Sequence, residues 1–131
     1  MILFINTTEF NKLELALISN GSVKTFEQDL AFNENYRTLE LLEKFLIKNK
    51  AIFDDVKKII ACSGPGSFTG IRVGLSLAQA FGFAKQIPVL TITKDKIPAD
   101  LTKLESLKTS SAKIFYGAKP NITLSKKKNA K

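Results

Sequence analysis

Hydrophobic and polar residues alternate with period two as far as Asp29 and with a helical period afterwards, which divides the chain into a strand-rich start and a region of crossover helices. Met1–Asn6 is a short apolar run suited to a buried central strand. Across Lys12–Ser19, Leu13, Leu15 and Leu17 alternate with Glu14, Ala16 and Ile18, the pattern of a half-buried strand. Asn20-Gly21 then supplies a strong signal for a type I′ hairpin turn. Ser22–Asp29 returns with Val23 and Phe26, completing a three-stranded antiparallel meander. From about 34 to 48 the spacing predicts a helix whose stripe is Tyr36, Leu39, Leu42 and Leu46, widened by Leu41 and Phe45, with Asn33 or Asn35 as N-cap. Asp54-Asp55 mark a turn, Lys57–Cys62 a buried strand and 69–85 a second helix. Pro88 leads into a strand over Val89–Thr93, at whose first position proline is tolerated. Further on, Pro98–Leu107 reads as a short helix, Ala112–Tyr116 as a strand and Asn121–Lys131 as a loose end.

The order β-β-β-α-β-α-β implies an α/β fold, a mixed sheet that begins with the meander and is continued by crossover helices to parallel strands. At 131 residues, 44% hydrophobic with ten Phe, the chain has the material for one domain with a genuine core. Cys62 is the lone cysteine and sits inside the apolar run Ile59–Cys62, so a buried thiol is expected rather than a nucleophile or a disulfide. No run of about 18 apolar residues suggests a membrane span. The opening Met1–Ile5 lacks the basic start of a secretory signal, so a cytoplasmic setting is expected. The net charge of +8 is unevenly placed. Residues 1–102 carry twelve Lys and Arg against eleven Asp and Glu, whereas residues 103–131 carry eight Lys against Glu105 alone. That lysine-rich segment suits either a solvated end or an electrostatic tether for RNA or an acidic partner. No aromatic residue is interleaved with Lys126-Lys127-Lys128, so base stacking is not offered there.

The most informative segment is Ser63–Ser76, a glycine-rich corner between a strand and a helix. Corners of this kind suit anions, because backbone N–H groups and a helix N-terminus converge there. The spacing G-x-G-x-x-x-G departs from the dinucleotide fingerprint, no Lys follows Gly70 as a Walker loop requires, and the remaining parts of a kinase site are missing. Pro65 also removes one N–H donor. With no histidine in the chain, the commonest general base and metal ligand are both absent. No nucleophile–base pair and no zinc-ligand set stands out.

The run Gly64-Pro65-Gly66-Ser67-Phe68-Thr69-Gly70-Ile71-Arg72-Val73-Gly74 is similar, nearly letter for letter, to the hallmark of the TsaB (YeaZ) family, a bacterial component of the machinery that makes threonylcarbamoyladenosine on tRNA. Ile2–Thr8 resembles that family's opening strand and turn, and Tyr116–Thr123 resembles its chain end. The resemblance covers residues 1–95 in recognisable order. Family members carry a second domain between those regions, for which only a short stretch stands here. It therefore implies an N-terminal half-domain of the actin, hexokinase and Hsp70-type ATPase fold over 1–95, and a reduced remnant of the second domain with a basic tail over 96–131. It further implies a non-catalytic scaffold with no cofactor and no metal, which binds a TsaD-like transferase subunit and, through that complex, a TsaE-like ATPase. Self-association when the partner is absent and tRNA contact through the lysines complete the expected partners. ATP-using members of that fold hold metal with an Asp on the first hairpin, and the position corresponding to it here is Asn6, a weaker attractor of Mg²⁺.

The resemblance also implies that the partner is met through the two helices near 34–48 and 69–85. Candidate contacts are Tyr36, Leu39, Glu40, Glu43, Arg72, Gly74, Leu75 and Ala78, beside the signature loop Gly64, Pro65, Gly66, Ser67, Phe68, Thr69 and Gly70. Gly70, Gly74, Ala78 and Gly82 recur every four residues and form a ridge almost without side chains. Glycine in a helix costs about 1 kcal/mol relative to alanine, so the ridge requires a close approach, either to the chain's own sheet or to a partner helix. Arg72, placed unfavourably for the helix dipole, is expected to pair with an acid of the first helix or of the partner. The competing function is a small nucleotide-binding or phosphotransfer domain that uses the corner at 64–70 as a phosphate site.

Overall fold

The computed structural model describes residues 1–9, 11–31, 35–107 and 113–114. Asn33, the segment Tyr116–Thr123 and the lysines at 108, 119, 126, 127, 128 and 131 lie outside the described residues. Among the described residues six strands form one sheet in the order β3-β2-β1-β4-β5-β6. They are β1 (Ile2–Asn6), β2 (Lys12–Ser19), β3 (Ser22–Asp29), β4 (Lys58–Cys62), β5 (Val89–Ile92) and β6 (Lys113–Ile114). The meander β1-β2-β3 is antiparallel, and β4 and β5 add in parallel beside β1. Asn20 and Gly21 both have positive φ, as the type I′ turn requires. β6 falls within the expected strand 112–116 and closes the far edge antiparallel to β5.

Strand alternation creates two faces. On one, Leu3 and Ile5 of β1 and Leu13, Leu15 and Leu17 of β2 pack under α1 (Thr38–Lys48) and α2 (Phe68–Lys85). On the other, Ile2, Phe4, Ala16, Ile18, Ile60 and Leu90 are covered by Leu104 from a 3-10 turn, Leu101–Ser106. That turn stands where a short helix over 98–107 is expected. The Asp100 side chain caps it by accepting from the Thr102 N–H. It is pinned to the hairpin by the Gly21 N–H, which donates to Glu105 Oε1 (3.2 Å). Because both faces are covered, every residue of β1 is buried.

The first helix corrects the expected stripe. Asn35–Arg37 forms a 3-10 turn rather than a capped helix start, and α1 begins at Thr38 without a side-chain cap. Its buried positions are Thr38, Leu41, Leu42, Phe45 and Leu46, spaced for one helical face. Tyr36 and Leu39 therefore point outward, at 78% and 54% exposure. In the second helix, Ser67 is the N-cap, its Oγ accepting from the Gly70 N–H at 3.1 Å.

Candidate functional site: the glycine-rich corner and the outer helix faces

The corner leaves the C-terminal end of β4 and is threaded onto the chain that follows β1. The Ser63 N–H donates to the Ile92 carbonyl (2.9 Å), and the Gly64 carbonyl accepts from the Lys94 N–H (2.8 Å). Gly64 has φ +113°, a backbone that a side chain would strain. The Ser67 N–H donates to the Thr8 carbonyl at 2.7 Å. A Cβ on Gly66 would lie 2.3 Å from that same carbonyl oxygen, and one on Gly70 would lie 2.2 Å from the Thr7 carbonyl oxygen. The Thr7 hydroxyl donates to the Gly70 carbonyl. Over the mouth, Lys94 Nζ pairs with Glu9 (2.6 Å), which lowers the carboxyl pKa and raises that of the amine.

These bonds bear on the phosphate reading. The N–H groups of Ser67 and Gly70, which would be donors to an anion, are satisfied inside the fold. Asn6 is 6% exposed; its Oδ1 accepts from both the N–H and the hydroxyl of Thr8, while its Nδ2 donates to Glu14 (2.7 Å). An aspartate there would lose that donor and set a second charge against Glu14. Two N–H groups of the corner and the amide oxygen of Asn6 are thus occupied by the chain itself. Cys62 is buried, and burial pushes its thiol pKa up, as befits a core residue.

The ridge on α2 faces the chain's own sheet. A Cβ on Gly74 would lie 2.2 Å from Thr7 Oγ1, one on Gly82 would lie 2.2 Å from Val89 Cγ2, and Ala78 is fully buried. Gly74 and Ala78 are therefore internal spacers and not surface contacts, because the helix backbone presses directly on Thr7, just past β1, and on Val89 of β5. Leu75 is half-buried against the same core. Arg72 is exposed, and its guanidinium lies over the Phe68 ring at 5.2 Å; among the described residues no carboxylate pairs with it. Tyr36, Leu39, Glu40 and Glu43 do face outward, and Glu40 bridges Arg37 and Lys44. Phe68 of the signature loop is 72% exposed, and pattern reading missed Ile47 and Phe83, which are 66% and 77% exposed. The signal for them is an apolar residue on the otherwise polar face of each helix.

The profile of the family described as "TsaD: tRNA N6-adenosine threonylcarbamoyltransferase" matches residues 33–107. The chain belongs to this family, among its TsaB/YeaZ members. It is 29% identical over 93 residues to the tRNA threonylcarbamoyladenosine biosynthesis protein TsaB of Bacillus subtilis, covering 70% of this chain and 40% of that one. Against TsaB of Haemophilus influenzae it is 32% identical over 87 residues, covering 66% and 36%. YeaZ from Pseudomonas aeruginosa superposes with a TM-score of 0.65 at 26% identity, over 70% of this chain and 43% of that one. The chain thus spans about two fifths of the length of these relatives. The mixed sheet and this likeness bear out the actin/Hsp70-like half-fold. Among the described residues no helix is long and apolar enough to cross a membrane.

Proposed function

We propose that this chain is a non-catalytic scaffold subunit in the formation of threonylcarbamoyladenosine on tRNA, acting in the cytoplasm by binding a TsaD-like transferase subunit. The observation that carries the reading is the outer surface of the two helices. Tyr36, Leu39 and Ile47 around α1 and Phe68 and Phe83 on α2 are large, apolar and exposed. Exposed apolar groups rimmed by charge, here Glu40, Glu43 and Arg72, suit a protein interface. In this proposal residues 1–95 are the half-domain that carries the interface, and 96–131 take the place of the relatives' second domain. A TsaE-like ATPase joins at the junction with the partner, and the lysines beyond 102 contribute electrostatic attraction for tRNA. The same face supports a homodimer when the partner is absent.

Co-purification with a TsaD-like protein tests this. Leu39→Asp and Phe68→Asp place a charge in the interface and should abolish capture while melting temperatures stay near that of the parent chain. Undiminished capture by both variants would refute the helix-face interface, and failure of the parent chain to capture any TsaD-like protein would refute the scaffold reading.

A further inference from the structure

On the sheet face opposite α1 and α2 lies a cavity of about 370 Å³, within the range of roughly 300–1,000 Å³ usual for small-ligand sites. Its floor is apolar, made by Phe4, Ala16 and Leu101, and its wall is polar, made by Asn6, Glu14 and Glu27. The wall is built by strand register: Asn6 stands opposite Glu14 on β1 and β2, and Glu14 stands opposite Glu27 on β2 and β3. Asn6 is held by Thr8 and donates to Glu14, so the wall is preorganised from the C-terminal end of β1. Burial and the neighbouring Glu27 raise the Glu14 pKa, whereas Glu14 and Lys12 lower that of Glu27. Two carboxyl groups directly opposite each other repel when both are charged. Lys12 is one cation set against the two, at 3.2 Å from Glu27 and acting on Glu14 through space.

We propose that this cavity binds a guanidinium group carried on an aliphatic stem. The fork of N–H donors would bridge Glu14 and Glu27 in the planar geometry that carboxylates favour, and the stem would lie on Phe4, Ala16 and Leu101. The group would add a second positive charge to the compensation begun by Lys12. The site is separate from the helix faces and does not depend on the scaffold reading. The guanidinium has two possible sources, a free small molecule or an arginine side chain of a partner protein.

Titration of the whole chain with n-propylguanidinium, followed by the Asn6 side-chain amide resonances, tests the proposal. Saturable shifts with a Kd of roughly 1 mM or tighter are expected, with no saturable response to the neutral isostere n-propylurea. Glu14→Gln combined with Glu27→Gln should weaken binding at least about tenfold, the cost of losing charge-assisted bonds. Leu101→Trp, which fills the cavity from the half-exposed side of its floor, should abolish it, so the test does not rest on one variant's folding. A glycine-flanked arginine peptide that binds at least as tightly points to a partner's side chain, and binding of the free guanidine alone points to a small molecule. Unmoved Asn6 resonances up to about 10 mM, equal binding of the urea, or full binding by folded variants would overturn the proposal.

Discussion

Gly74→Ala should destabilise the protein, although alanine is the better helix former. The added methyl would lie 2.2 Å from Thr7 Oγ1 and 3.3 Å from Thr7 Cβ. Thr7 is buried, with its hydroxyl bonded to the Gly70 carbonyl, so the methyl fits only if that hydroxyl rotates away and the bond is lost. Losing a hydrogen bond whose donor, Thr7, is buried and whose acceptor, Gly70, is half-buried costs about 1–3 kcal/mol. The helix gains about 1 kcal/mol from Gly→Ala, which leaves a net loss near 1 and up to about 2 kcal/mol. In a domain near a hundred residues each kcal/mol lowers the melting temperature by roughly 4–8 °C. In a Thr7→Ala background the obstructing oxygen is gone, so Gly74→Ala should there be neutral or stabilising by up to about 1 kcal/mol. The coupling between the two sites is then about 2 kcal/mol, well above the error of a double-mutant cycle. Urea unfolding of the four proteins, followed by circular dichroism, measures it. A Gly74→Ala variant as stable as its parent, or a cost unchanged in the Thr7→Ala background, would refute the account of the ridge.

Glu14→Gln should flatten the pH dependence of stability. A carboxyl with a folded pKa raised above 4.5 contributes stability that is complete below its unfolded pKa and is lost as pH rises through the folded pKa. The lowered Glu27 acts oppositely, losing its contribution as pH falls below 4.5. Denaturation between pH 4 and 8 should therefore show the stability of the parent relative to the variant falling as pH rises above about 4.5. Leu104→Ala should cost about 2–5 kcal/mol, the range for a leucine deleted from a packed interior, since Leu104 is 1% exposed on the second sheet face; a loss under about 1 kcal/mol in urea would show that the 3-10 turn is an ornament on the core. Cys62 should react with a thiol reagent no faster than the protein opens, because the thiol is buried and its pKa raised; modification in step with a free thiol would contradict its placement.

Strands β2 and β3 are legible to the residue, because alternation and an Asn-Gly turn agree on one register. The start of α1 is not. Tyr36 and Leu39 fit the helical period by their letters, yet Thr38 took the inward position, and periodicity alone does not say which flank of an apolar stripe meets the sheet. The glycine ridge was visible as a demand for close approach, but what approaches it is Thr7 and Val89, distant in sequence. Arg72 found an aromatic ring four residues behind it rather than a carboxylate. The Asn6–Glu14–Glu27 row was available to anyone counting back from the Asn20-Gly21 turn, since that register sets Glu14 against Glu27. Its cavity is completed only by Ile97 and Leu101, which no local pattern places there.

The central position of β1 has a consequence for synthesis. Its antiparallel partner β2 is complete by Ser19, but its parallel partner β4 begins only at Lys58, and the covering elements α2 and the turn at Leu101–Ser106 come later still. A nascent chain that has emerged through β3 can close the hairpins, yet both apolar faces of β1 and β2 stand open and one edge of β1 is unpaired. Such edges and faces are what drive aggregation of partly made chains. The translation of roughly eighty further residues, at about 5–20 residues per second, sets the interval for which they stay open.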